Sequence, residues 1–294
     1  LDKAAGSEGS WLATPLGKAT LSSTMDPGDA LLIRADLQRA REQFVMSTEL
    51  HLTYLVVPAN NYDITPNWKT YQDMLFCLKG PEKRVMSLVG VKEGFVNNRM
   101  QGKVNKRALE NEKKEDERIA RKFFVALVLH EVINEVPMDA VAKKYEMTRS
   151  AIARLQENAT KAAGMVSSFC SQMGWSDLEH LVAKFQGRIN TAVRSDIVEL
   201  TGIPGVKGFR ARVLYKAGLK TPEDVAACPI ERLTEILIGA SLGNKKMNDQ
   251  QNNNAERRAA RMIHQGAIEY CNAKASSLQA EAMELLELQR RNQQ

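Results

Sequence analysis

Between Ser150 and Met173, apolar residues recur at steps of three and four: Ile152, Leu155, Ala159, Ala162, Val166, Phe169 and Met173. This is one continuous stripe along a helix of period 3.6. A stripe of that length has to be buried against other elements. The segments around it read as more helices. Asp26 and Pro27 are a cap and first-turn pair, followed to Met46 by an apolar side of Leu31, Ala35, Leu37, Ala40 and Phe44. Leu50 to Pro58 is apolar and ends at a proline, as a short buried helix or strand would, and places His51 in the core. Trp68 to Leu78, Lys83 to Val89 and Glu93 to Met100 read as short helices, and Phe123 to Glu135 as a buried one. The pattern predicts an all-α fold: a helical bundle, then a second helical domain, with a short β remnant at the N-terminus. A length of 294 residues allows two domains, and 44% hydrophobic residues allow each a core.

The remaining segments are polar or punctuated. Leu1 to Ser10 reads as loop and Trp11 to Ser23 as a small hairpin. Gln101 to Lys122, dense in mixed charge, reads as a solvated loop leading into a helix. Val136 to Ala159 has helix-turn-helix spacing, with Val141 and Ala142 in the first helix and Arg149, Ile152 and Leu155 in the second. Asp177 to Phe185 and Arg188 to Thr201 follow, then a capped start at Thr221-Pro222 and another helix from Pro229. Asn248 to Asn254 reads as polar linker and Ala255 to Arg291 as a long helix.

The stretch Val198 to Leu219 carries the most chemistry. It reads as a short helix through Ile197, Leu200 and Thr201, a turn at Ile203-Pro204-Gly205-Val206, and a second helix ending at Gly218. Pro204 fixes its own φ, and Gly205 can take a positive one. Amide N–H groups after such a turn, with the positive end of the next helix, suit phosphate oxygens and read no bases. The candidate binding residues are Gly205, Val206, Lys207, Gly208, Arg210, Arg212 and Lys216. The pattern is that of a helix-hairpin-helix, with Lys207 where a second glycine is usual and Gly208 one place late.

Charge agrees. The chain's net charge is +6, and Val182 to Lys220 holds eight basic residues (Lys184, Arg188, Arg194, Lys207, Arg210, Arg212, Lys216 and Lys220) against Asp196 and Glu199. That points to a polyanion, with nucleic acid the simplest. On the long helix, Arg154 and Lys161 share a side opposite the apolar stripe and are two further candidate contacts.

Several chemistries are excluded. Gly17-Lys18 lacks the glycine five residues earlier and the following Ser or Thr of a phosphate loop. Asp116-Glu117 has no apolar strand before it. His130-Glu131 has Asn134 where a zinc-protease motif needs its second His. No catalytic residue, metal site or cofactor is expected in this chain. Cys77, Cys170, Cys228 and Cys271 stand far apart, which suggests a reducing compartment and neither zinc nor a disulfide framework. The longest apolar run, Phe123 to Leu129, is too short to span a membrane, so no membrane partner is expected. Lacking an initiator Met and starting Gly/Ser-rich, the chain reads as a piece of something longer.

Five ordered segments carry a family resemblance: TPLGKATLSS at Thr14 to Ser23, LHLTYLVVP at Leu50 to Pro58, VGVKEGF at Val89 to Phe95, WSDLEHLVAKFQ at Trp175 to Gln186 and RARVLYKAG at Arg210 to Gly218. Over about Leu12 to Gly239 the sequence resembles the polymerase theta helicase region, among superfamily-two DNA-repair helicases. The resemblance implies the end of a winged-helix domain at 1–25 and a helical ratchet-type domain at 26–175. It implies a helix-hairpin-helix domain with lead-in helices at 176–240, then a linker and C-terminal helix at 241–294. It implies a single-stranded DNA-binding module in the nucleus, partnered by upstream motor domains of the same protein, which alone would need ATP and Mg. In related archaeal helicases the ratchet helix offers an Arg and, seven residues on, a Trp. Arg154 and Lys161 stand there, so the stacking group is replaced by a phosphate contact. Two other readings remain open on the residues: a duplex-binding helix-turn-helix regulator, and a helical protein-interaction adaptor.

Overall fold

Side-chain caps set several of the helix starts. The computed structural model describes residues 2–3, 11–43, 45, 48–59, 64–103, 110–242 and 249–291. Thr14 accepts from the Gly17 N–H at 3.1 Å and Pro15 follows, so α1 is Pro15–Ser22. This corrects the hairpin expected over Trp11 to Ser23. Thr-Pro is a cap and first helical position here. Among the described residues, strand is confined to Asp2–Lys3 (β1), paired antiparallel with Trp11–Leu12 (β2), so part of the expected Leu1 to Ser10 loop is strand and the rest lies outside the described residues.

Asp26 caps α2 (Pro27–Glu42) by accepting from the Gly28 N–H at 2.8 Å. Then come α3 (Leu50–Val56), α4 (Trp68–Phe76), α5 (Gly80–Val89) and α6 (Glu93–Met100). Of the two expectations for Leu50 to Pro58 the helix is the one observed, and every residue of α3 is buried. The next helix, α7, runs Glu110–Ile133, so most of the charged run expected as loop is helical; 104–109 lie outside the described residues. Its charges stabilise the helix: Arg118 bonds Glu115 at 2.7 Å and Arg121 bonds Glu117 at 2.5 Å, one turn apart. Asp116 pairs with Lys92, and Glu117 also takes Arg99, so the acidic pair is a set of ion-pair acceptors.

From Phe123 to Leu129 every α7 residue is buried, and this stretch packs on α3 in the middle of the first core. Tyr71 Oη donates to the Ala120 carbonyl at 2.9 Å. Charge also lies inside: Lys122, fully buried, places Nζ 2.8 Å from Asp36 and 4.4 Å from the centre of the Tyr54 ring. His51 is the core histidine expected. Its Nδ1 accepts from the Val45 N–H at 3.3 Å, and burial pulls its pKa down to about 4.

Then α8 (Met138–Tyr145) turns through Glu146, at φ +53°, into α9 (Arg149–Gln172), capped by Thr148. The stripe is buried at Ile152, Leu155, Ala159, Val166 and Phe169, while Ala163 and Cys170 take the inner positions expected of Ala162 and Met173. A single helix, α10 (Ser176–Thr191), covers its flank with Leu178, Val182, Phe185 and Ile189. Gln156 Nε2 donates to the carbonyls of Ile189 (2.7 Å) and Asn190 (3.0 Å), and Gln186 Nε2 to that of Thr160 (3.3 Å). The first compact unit therefore ends at Ala192, beyond the boundary expected after 175.

The second unit, from Val193, has its own core. Two 3-10 turns, Ser195–Ile197 and Glu199–Gly202, stand where a short helix was expected. After them come α11 (Gly208–Lys216), α12 (Pro222–Ala227), α13 (Ile230–Leu242) and α14 (Asp249–Arg291). Thr221 and Asp224 form a reciprocal capping box at α12. The Asn-rich segment from Asn252 to Asn254, read as linker, lies within α14; residues 243–248 are outside the described residues. Ala260, Ile263 and Ala267 of α14 are buried in this core.

Candidate nucleic-acid interface

Ile203, Pro204, Gly205 and Val206 form a type II turn, closed by Val206 N–H donating to the Ile203 carbonyl at 3.0 Å, with Gly205 at φ +83°. Ile203 and Val206 point into the core and hold the turn from beneath. The chain then enters α11. The first amide to bond within that helix is that of Ala211, to Lys207 O at 2.9 Å, so the N–H groups ahead of it belong to the open N-terminus. Lys207 is the N-cap residue at φ −100°, a conformation open to any side chain, so the absent second glycine causes no backbone strain here. At the other end Leu219 N–H donates to Leu214 O and Gly218 N–H to Tyr215 O, both at 3.0 Å, with Gly218 at φ +94°. That is a Schellman ending with glycine at C′, where the sequence put it.

The turn is also gripped from the other side. A side chain at Gly266 of α14 would come within 3.1 Å of the Pro204 ring, and one at Gly202 within 2.7 Å of Tyr270. A methyl group on Gly205 would touch Ile263 at 3.8 Å. The long C-terminal helix is thus packed closely on the hairpin, through contacts at Gly202 and Gly266 that a side chain would crowd. Nothing in the local pattern of Ala255 to Arg291 signals this, because the partner residues lie about 60 positions earlier.

The basic residues divide into two kinds. Arg212 forms a two-pronged bond to Asp196 at 2.8 and 2.9 Å, which lowers the pKa of that carboxyl. Arg210 Nη1 donates to the Gly205 carbonyl at 3.1 Å, and its guanidinium lies 3.5 Å from Glu256. Both arginines therefore brace the hairpin. Lys207 and Lys216 are exposed. So is Phe209, 59% exposed in the first turn of α11, an aromatic beside the turn that the sequence reading passed over. Arg188, counted among the basic residues of this stretch, belongs to the first unit and is buried against Glu49, so it adds nothing to a surface field.

In the first unit, Arg154 and Lys161 are both exposed on α9, opposite the buried stripe. Lys161 Nζ lies 2.8 Å from Glu157, one turn earlier, and holds that carboxyl below its usual range. This pair is solvent-exposed, so water screens it and it adds little to stability. The α9 pair and the hairpin residues belong to different units. Among the described residues, no group of three or more His, Cys, Asp or Glu is placed to hold a metal ion, and no helix is long and apolar enough to cross a membrane.

Residues 27–189 match the model of the DNA polymerase theta helicase-like region helical domain. The chain belongs to this family. Residues 195–275 match a second family, described only as a domain of unknown function. The first match takes in α2 through most of α10, and the second begins at the 3-10 turns and ends inside α14. Among relatives, DNA polymerase theta of Drosophila melanogaster is 33% identical over 94% of this chain and 13% of its own length. The human Helicase POLQ-like protein is 27% identical over 94% of this chain and 23% of its own. The ATP-dependent DNA helicase Hel308 of Methanocaldococcus jannaschii is 25% identical over 81% of this chain and 17% of its own. The chain thus spans less than a quarter of each of these relatives. It is a polymerase theta-like, helicase-related helical region.

Proposed function

We propose that this chain is the single-strand-binding part of an ATP-dependent DNA-repair helicase and holds the strand by its phosphate backbone. In this reading motor domains of the same protein supply nucleotide chemistry, and ATP and Mg belong to them. The observation that carries it is the hairpin: a type II turn held from beneath by Ile203 and Val206, opening onto the N-terminus of α11 with Lys207 and Lys216 exposed beside it. Such a site takes phosphate oxygens without regard to base. Phe209, exposed next to Lys207, offers a face on which any base can stack, which favours single strands over duplex. Membership of a helicase family supports the same reading, as do relatives named as DNA helicases. Arg154 and Lys161 on the outer side of α9 supply two further cations.

The test is a salt titration of binding to labelled single strands of several sequences and to a duplex. The Lys207→Ala/Lys216→Ala variant is expected to bind every sequence more weakly. Its salt dependence should flatten by about one phosphate equivalent per lysine. Arg154→Ala should weaken single-strand binding in the same sequence-blind way. Loss confined to particular sequences, or a preference for duplex that these changes leave intact, would sink the proposal and favour a groove-reading helix-turn-helix.

A further inference from the structure

Part of the exposed positive charge of the second unit lies on a stretch of α14 that the hairpin motif does not include. Arg257, Arg258 and Arg261 lie within five residues of one another, and all three are exposed. At about 100° per residue they fall in one sector on the side away from Ala260, Ile263 and Ala267, which are buried. Arg257 and Arg261 are one turn apart, roughly 6 Å along the axis. Among the described residues none of the three has an ion pair.

Several carboxylates of the second unit are committed elsewhere, while Glu231 and Glu235 stand exposed on α13. Asp196 holds Arg212, Glu199 and Glu223 share Lys274, and Asp224 caps α12 through the Lys220 and Thr221 amides. Glu256, next in sequence, is turned to Arg210 of the hairpin. Glu269 takes the side-chain amide of Gln265 at 2.9 Å.

The stripe also sits on a fixed support. Gly266 against Pro204, Ile263 against Gly205 and Tyr270 against Gly202 clamp this half of α14 to the hairpin. Cations on a clamped helix lose little freedom on meeting a ligand, and arginine's planar fork suits a phosphate's oxygens two at a time. Arg210 and Arg212, which have intramolecular partners, tie the hairpin together, while Arg257, Arg258 and Arg261 have no ion pair among the described residues and are exposed.

We propose that Arg257, Arg258 and Arg261 form a second phosphate-binding surface for nucleic acid, on the side of α14 opposite the hairpin. The proposal takes its ligand class from the function proposed above and adds to it a separate set of contacts. A strand held at the hairpin would meet a further cationic rail on the same rigid body. The spacing of the arginines along one helix side suits successive phosphates of one backbone and carries no base readout.

The experiment compares the full chain with Arg257→Ala/Arg258→Ala/Arg261→Ala, using a labelled oligo-dT single strand and a duplex of equal length across a salt series. Circular dichroism melts check that the variant folds, which three exposed positions should allow. The expected result is about a tenfold loss of affinity at low salt, with the salt slope reduced by up to about two on a single strand. Replacement of all three by Lys should restore most of both. Unchanged affinity and slope in the alanine variant overturn the proposal. If that variant keeps its DNA affinity but loses binding to poly-glutamate, the stripe serves an acidic protein and the proposal also falls. Lys207→Ala/Lys216→Ala run in parallel separates the two readings. If it weakens binding while the arginine variant does not, the stripe is wrong and the hairpin stands. The reverse result removes the hairpin and keeps the stripe.

Discussion

In the first unit Lys122 is wholly buried between Asp36 and Tyr54, and Arg118 and Arg188 are almost as enclosed against Glu115 and Glu49. In the second unit Arg257, Arg258 and Arg261 stand in solvent, and the closest packing is of glycine on a proline ring and a tyrosine. The same residue types do different work. Inside the first unit a cation is held only because a carboxylate and an aromatic face replace its water, so it specifies packing. On the second unit the cations keep their hydration and remain available to a ligand. The first unit also has the larger core, built on aromatic contacts such as Tyr71 with Phe124 (5.2 Å) and Phe124 with Tyr145 (5.6 Å). The second relies on a smaller core and on the fit of α14 to the turn. Charge counted along a sequence therefore says little about a surface until each cation is placed.

The comparison breaks most sharply at the buried pair. Asp36→Ala leaves Lys122 uncompensated and should cost about 3–5 kcal/mol in urea unfolding of the whole chain. Asp36→Leu with Lys122→Met should recover most of that loss. A double variant as unstable as the single one would mean that the pair is not the cause.

Acid should act next, and on the first unit. The folded-state pKa of His51 is about 4 against 6.5 for a free imidazole, because burial disfavours its charged form. As pH falls below 6.5 the unfolded chain takes the proton first, so stability declines from there to about 4 and is level above. The full loss is up to about 3 kcal/mol. His130, also lowered by burial, pushes the same way. His51→Gln should flatten the acid limb of a stability–pH profile. An unaltered limb would assign the loss to other groups.

The smallest effect is expected at the glycine contact. Gly266→Val would press two methyl groups on Pro204 and should destabilise by about 1–3 kcal/mol, with α14 amides exchanging faster with solvent near the turn. Unchanged exchange would show the clamp to be slack.

Much of both units can be read along the sequence. The α9 stripe, the Asp26-Pro27 and Thr221-Pro222 helix starts, the glycine ending at Gly218 and the left-handed Gly205 all follow from local rules of spacing and φ. The misreadings share a cause. Gln101 to Lys122 looked like loop because its charges were weighed singly, whereas Glu115 with Arg118 and Glu117 with Arg121 are partners one turn apart. Thr14-Pro15 falls in a stretch whose pattern suggests a hairpin, although it is the same cap and first helical position as Thr221-Pro222. At the candidate interface the positions of the turn were legible, but the state of each side chain was not. Arg188 is buried by Glu49, 139 residues away in sequence, and Arg210 is drawn to Glu256. The α14 arginines are not legible as a site because a helix rich in Ala, Gln and Arg has the pattern of solvated surface, and its docked side depends on residues far away in sequence.

Gln156 reaches across from α9 to the last carbonyls of α10, and α10 covers the apolar flank of α9. A gene-splicing event or protease that divided the chain after residue 175 would strand that amide and uncover the flank of α9 on which α10 packs. A division between Ala192 and Val193 would leave each core with all of its own residues. If these units have been exchanged between proteins during evolution, the seam runs at the end of α10, and not at the Gly174-Trp175 turn where the sequence offers its more obvious break.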